Sequence, residues 1–235
     1  MGRLKSILAA LIILSAISCS KDNVIIRNTL DIGAVVSPIK FVTDAGLVMN
    51  IVENNSGQEI SIHERAILLF DVLRQRSGSE YDIRVLEINK PLMKDIARSS
   101  SVDQGAMGND PIFLRSGWFS GGYINIEFLI KVIKGSSTKH VINMVYEEVA
   151  DNADTLHFML RHNGLGDVID FNRPIGEQVE FVDGRSYATF PIRDFLPASR
   201  DEMPVAISYS WYDYQADGSL PGKVKSFRRT GVLRR

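Results

Sequence analysis

Cysteine is almost absent: the 235 residues hold one, Cys19, so no internal disulfide can form and the thiol is free, intermolecular or modified. Neither sign of charge is in excess, with 27 Lys and Arg against 28 Asp and Glu. No stretch reads as a Lys/Arg stripe, so nucleic acid and anionic membrane surfaces are not expected partners on electrostatic grounds. A Gly-x-Ser-x-Gly elbow is missing, because Gly117-Trp-Phe-Ser-Gly121 has the wrong spacing, and a serine hydrolase is correspondingly disfavoured. One apolar run stands out, Ile7 to Ile17, but it falls short of the roughly 20 residues that a helix needs to cross a bilayer. With 45% apolar and 23% charged residues, the bulk of the chain reads as globular and not as disordered.

What is present at the start reads as a secretory leader. Arg3 and Lys5 form a positive n-region, the apolar run follows, and the small residues Ala16 and Ser18 precede Cys19. Ala16-Ile17-Ser18-Cys19 resembles a bacterial lipobox in a relaxed form, with Ala16 where Leu is usual. In that class the thiol takes a diacylglycerol, the peptide is cut before the cysteine and the new amine is acylated. Several acyl chains, at about 0.8 kcal/mol per buried CH₂, anchor a protein stably where one would not. The expectation is a leader over 1–18, a lipidated Cys19 and a tether over 19–29. Ser20-Lys21-Asp22-Asn23 resembles a short export signal of Bacteroidetes lipoproteins carried by Lys21 and Asp22, although Asn23 stands where a second acidic residue would be usual. An outer-membrane lipoprotein, on the periplasmic face or at the cell surface, is the expected location.

Beyond residue 20, period-two alternation dominates. Short β-rich runs at 32–36, 39–43, 47–52, 66–73 and 81–88 are separated by turn residues, and Pro91 to Ala97 reads as a helix with proline in its first turn. Five strands and a brief helix predict a small OB-like barrel over 30–98. A Ser- and Gly-rich stretch over 99–110 reads as a linker. The remainder, 111–235, alternates again at 123–131, 140–146, 155–161, 187–192, 205–214 and 224–233. Asp183-Gly184 reads as a hairpin turn, and Asp217-Gly218 as a further turn. Ile124, Ile126, Phe128 and Ile130 form a core face, while Tyr123, Asn125, Glu127 and Lys131 face water. The fold expectation is all-β: an OB-like barrel followed by an antiparallel sandwich.

The order of these features, with Asn109-Asp110-Pro111-Ile112, the Trp118 region, Gly121-Gly122-Tyr123-Ile124-Asn125-Ile126 and Leu160-Arg161-His162-Asn163, resembles the NigD-like lipoproteins of Bacteroidetes. That resemblance implies an N-terminal OB-type domain and a C-terminal β-sandwich. The family name comes from a gene cluster linked to a bacteriocin, which implies an accessory or immunity role, and the family offers no catalytic residues to carry over.

The residues themselves assemble no catalytic set. With Cys19 lipidated, no thiol nucleophile is left. Of His63, His140, His157 and His162, the last two lie five apart on one strand and face opposite ways, a poor chelating pair, so no metal or other cofactor is expected. Glu147, Glu148, Asp151 and Asp154 lack calcium-loop spacing and read as a solvated turn. In Tyr209 to Tyr214, alternation puts Tyr209 and Trp211 in the core and leaves Tyr212 and Tyr214 beside Ser208 and Ser210 on the open face. Those two tyrosines form a candidate platform for a sugar ring or peptide. The functional expectation is therefore a non-enzymatic binding, accessory or immunity protein held to the membrane by lipid, with an unidentified protein or glycan partner. A surface glycan- or peptide-binding accessory protein is the alternative.

Overall fold

The computed structural model describes residues 25–62, 64–148, 154–170, 179–196, 200–213 and 223–234. The expected leader, Cys19, Lys21, Asp22, Tyr214 and the Asp217-Gly218 turn lie outside the described residues, as does His63.

Five strands close a barrel: β1 (Ile26–Ser37), β2 (Lys40–Thr43), β3 (Val48–Asn54), β4 (Arg65–Ser77) and β5 (Glu80–Asn89). Their order, β1-β2-β3-β5-β4 with β4 returning to β1 and β3 parallel to β5, is that of an OB barrel. Each strand places alternate apolar residues inside, and Val35, Phe41, Met49, Leu68, Phe70 and Ile83 are the centre of the barrel core. A bulge lets β5 change phase. Glu87 pairs with Leu69 and Val85 with Phe70, so Leu86 is the extra residue, and the inward set moves from Ile83 and Val85 to Ile88.

The second half is a two-sheet sandwich. One sheet runs β14-β13-β11-β10-β7, and the other runs β6-β12-β9-β8. The strands are β6 (Leu92–Met93), β7 (Ala97–Arg98), β8 (Phe113–Ser120), β9 (Tyr123–Ile133), β10 (Val141–Glu147), β11 (Leu156–Asn163), β12 (Phe181–Pro191), β13 (Glu202–Tyr212) and β14 (Val224–Arg234). Ile124, Ile126, Phe128, Phe158, Leu160, Phe190 and Ile207 fill the space between the sheets.

Three expectations are corrected. The segment 91–97 is not helical: Leu92-Met93 joins β12 and Ala97-Arg98 joins β10, both in parallel, while Ile96 enters the sandwich core. Pairing with two preformed sheet edges outweighs the weak local preference for a helical turn. The barrel therefore ends at Asn89, and the stretch 99–110 is part of the sandwich and not a linker. It carries a short 3₁₀ turn at Ser99–Ser101 and the helix α1 (Gln104–Met107), capped where Asp103 accepts from the Gly105 N–H at 2.9 Å. Finally, Asp183-Gly184 is no turn, for it lies inside β12, where eleven residues pair continuously with β9 and Lys131 bonds Asp183 at 2.6 Å. A long partner strand keeps the dipeptide extended.

Candidate functional site

The tight turn between β8 and β9 carries the sandwich into contact with the barrel. Gly121 and Gly122 have φ of 60° and 84°, the two positive values that a two-residue type I′ hairpin needs. On the barrel side, Asp44 sits in the turn after β2, its N–H donating to Ile32 O at 2.9 Å, and Arg65 opens β4. Arg65 is 7% exposed and grips Asp44 with two bonds, Nη1 to Oδ1 at 2.9 Å and Nη2 to Oδ2 at 2.7 Å. Nη2 also donates to Asn125 Oδ1 at 3.1 Å, Asn125 Nδ2 donates to Ser120 Oγ at 3.0 Å, and Ser120 Oγ donates to Asp44 Oδ2 at 2.5 Å. The Arg65 guanidinium stacks 4.1 Å above the Tyr123 ring. Two residues from each domain thus close one ring of charge-assisted bonds. Asn125, expected to face water, is 1% exposed because the barrel covers it. Close by, burial raises the Asp31 carboxyl above its ordinary range, and the charge of Asp44 adds to this against the bond from the Ile32 N–H.

Around this lock lie two clefts that share Asp44, Gly121, Gly122 and Arg193 as a common wall. One, of about 550 Å³, is bounded by Ile192, Leu196 and Leu233. The other, of about 640 Å³, has an apolar floor of Ala34, Val36, Val42, Met93 and Pro191 with Tyr123 and the charged Arg193 and Asp194 at its rim. Val36 and Met93 are 45% and 56% exposed. A concave site at a domain junction, mainly apolar with a few placed charges, is the usual form of a binding site. From the sequence, Asp44 stands out only as a turn residue, and Arg65 and Arg193 do not stand out at all. A hint is there in Arg65-Ala-Ile-Leu-Leu-Phe70, where an arginine heads a strand that is otherwise buried.

The other two motifs also meet in space. Asn109 Oδ1 accepts from Arg161 Nη1 at 2.7 Å and from Ser210 Oγ at 3.0 Å, Asp110 Oδ2 accepts from the Gly164 N–H at 2.8 Å, and Asp110 N–H donates to His162 O at 2.8 Å. His162, 1% exposed, lies on the inward face of β11, with Nδ1 at 2.9 Å from Pro111 O. A carbonyl can only accept, so Nδ1 carries the proton and Nε2 of the neutral ring accepts from His140 Nδ1 at 2.8 Å. The far nitrogen of His140 is 3.2 Å from Asp167 Oδ2. Burial lowers the His162 pKa, and the neighbouring His140 adds to that, against the Pro111 and Asp110 contacts. Burial works against ionising Asp167, but bonds from Ser136, the Ile133 N–H and His140 outweigh it and hold this carboxyl below the usual range. The relay ends on the Pro111 main-chain carbonyl, where a catalytic relay would place a nucleophile, and it ties the start of β10, β11 and the 109–112 segment together.

Of the expected platform, Tyr212 is corrected: it is 2% exposed and belongs to the sandwich core, its ring 4.8 Å from that of Trp211. Two successive residues enter the core at the end of β13, which strict alternation does not allow. Tyr209 and Trp211 are buried, as expected.

The fold and the junction define a class, a two-domain β protein in which an OB-type barrel is locked to a sandwich. Residues 95–175, the first part of the sandwich, match the model of the NigD-like C-terminal beta sandwich domain, which is what this stretch is similar to. Solved structures share the whole architecture. A NigD-like immunity protein from Bacteroides caccae superposes with a TM-score of 0.62 at 17% identity, over 85% of this chain and 92% of that one. A protein from Parabacteroides distasonis described as toxin-related gives 0.59 at 21% identity, over 86% and 92%. A candidate lipoprotein from Bacteroides fragilis gives 0.57 at 11% identity, over 88% and 97%.

Proposed function

We propose that this chain is a non-enzymatic, lipid-anchored envelope protein that acts by binding a protein partner in the junction cleft, in the accessory or immunity role of a bacteriocin system. The observation that carries the reading is the cleft of about 640 Å³, whose apolar floor is exposed in Val36 and Met93 and whose walls are held by the buried Arg65–Asp44 pair. A wall fixed by bonds from both domains needs no ordering on binding, which favours affinity. The likeness to an immunity protein and to a candidate lipoprotein supports the same reading. Cys19 supplies the anchor, and Lys21 and Asp22 direct export to the outer membrane.

Deletion in the native host, followed by challenge with a panel of bacteriocin producers, tests it. Sensitivity to at least one producer should rise, and the wild-type gene should restore resistance. A folded Val36→Glu/Met93→Glu variant should not restore it, because two carboxylates on the cleft floor would be buried by an apolar partner segment. A Cys19→Ala variant should leave the membrane fraction. Unchanged sensitivity across the panel counts against the immunity role, and full rescue by the cleft variant counts against the cleft.

A further inference from the structure

Strand β14 ends the five-stranded sheet, and β13 is its ladder partner. Eleven residues keep one register from Glu202↔Arg234 to Tyr212↔Val224 without a bulge. The Asp213 N–H donates to Lys223 O at 3.0 Å, which sets the alternation of the antiparallel ladder. Lys225, Phe227, Arg229, Gly231 and Leu233 therefore turn their backbone groups to β13, while Ser226, Arg228, Thr230 and Val232 turn theirs outward. The outward set is a straight row of alternating donors and acceptors, and residues 224–230 are all exposed.

The same strand is strongly basic, contrary to the even spread of charge read from the sequence. Six of the thirteen residues over 223–235 are Lys or Arg, and none is acidic. Lys223 and Lys225 reach Asp213 at 3.8 and 2.7 Å, and Arg228 Nη2 lies 3.2 Å from His157 Nδ1. Among the described residues, neither Arg228 nor Arg229 has a carboxylate within ion-pair distance. Arg228 shares the open sheet face with Ser226 and Thr230, whereas Arg229 shares the other side with Lys225 and the 37% exposed Phe227.

A long, regular edge is a template for another strand, and charge on it selects which strand. A second copy of β14 would set arginines against arginines, which is unfavourable across a strand pair. We infer that β14 is a docking edge that takes an extended acidic segment of another protein as a further strand of this sheet. Main-chain bonds at Ser226, Arg228, Thr230 and Val232 hold the segment, and carboxylates on its two faces meet Arg228 and Arg229. The inference is independent of what fills the junction cleft.

The test is binding of a fluorescein-labelled peptide, Thr-Glu-Glu-Val-Glu-Glu-Val-Thr, whose glutamates lie on both faces of an extended strand, to the full chain in detergent, read by anisotropy and by amide exchange. Thr230→Pro removes an outward N–H while leaving every bond to β13, since proline is tolerated on the free side of an edge strand. Arg228→Glu/Arg229→Glu reverses the charge and keeps the backbone. The acidic peptide should bind, slow exchange at 226, 228, 230 and 232, and weaken by about tenfold or more in each variant. Its lysine counterpart should not bind. If Thr230→Pro proves unstable, Ser226→Pro serves the same purpose. Failure of the acidic peptide to bind overturns the inference. So does binding that ignores both prolines, or that an oligo-dT displaces from wild type and Thr230→Pro alike, for the strand would then be a plain polyanion patch.

Discussion

At the scale of single residues, His162 shows how burial turns an ordinary side chain into a pH-dependent one. Its folded-state pKa lies below the ordinary value of about 6.5, because burial disfavours the imidazolium. Just below pH 6.5 the unfolded chain binds more protons than the folded one, so stability rises with pH there. The His162 contribution is complete above about 6.5 and is lost as the pH falls toward the folded value. Asp167 and Asp82 work in a lower window. In Asp82, burial opposes ionisation, but bonds and charge from Arg76 and Arg74 outweigh it. Both carboxyls are held below the usual range, so their contribution is present above about pH 4 and lost below it. Wild-type Tm should accordingly fall between pH 7 and 5 and again below 4. His162→Gln, which keeps a donor for the Pro111 carbonyl, should flatten the first fall and leave the second. A wild-type Tm constant from pH 7 to 5 would sink the argument.

At the scale of elements, the β8–β9 turn does more than reverse the chain. A Cβ on Gly121 would strike the Asp44 carboxylate, which Arg65 holds in place, whereas one on Gly122 would strike the side chain of Arg193, which can swing away. Both sites carry positive φ, so both substitutions are strained. Gly122→Ala should cost about 1–2 kcal/mol by urea unfolding and Gly121→Ala about 2–4, because only the latter also disturbs a buried ion pair. Equal losses would mean that the turn does not bear on Asp44. Most strands were legible in the sequence, since alternation is a local property and Ile124, Ile126, Phe128 and Ile130 are buried as their spacing predicts. The errors lie where a segment's fate depended on a remote partner: Leu92-Met93 completing the edge of β12, and Asp183-Gly184 kept extended by β9.

For the whole molecule, the Arg65–Asp44–Ser120–Asn125 ring bonds the barrel to the sandwich across their junction. Both tryptophans, Trp118 on β8 and Trp211 on β13, belong to the sandwich, so fluorescence follows that domain while far-UV CD follows both. The two probes should coincide in the wild type. Arg65→Met leaves Asp44 buried without its partner, costs about 3–5 kcal/mol, and should make the CD transition precede the fluorescence transition. Adding Asp44→Leu to it should recover most of the loss, because two apolar groups replace the buried pair without leaving a lone charge. Transitions that still coincide in Arg65→Met would show that apolar contact alone couples the domains.

The sequence by itself determined the all-β character, the two successive β domains, the burial of Tyr209 and Trp211, and the motifs that carry the resemblance to NigD-like proteins, because side-chain alternation and short motifs are written within a few neighbouring residues. Only the tertiary structure decided what those motifs do. Asn109-Asp110-Pro111-Ile112 meets Leu160-Arg161-His162-Asn163, and Gly121-Gly122-Tyr-Ile-Asn-Ile126 meets Asp44 and Arg65, across separations of tens of residues that no local pattern encodes. The same holds for charge. Arg65 and Arg229 are alike as letters, yet one is buried in a ring of acceptors and the other stands on an open edge, since burial and pairing are properties of the packed fold and not of the residue.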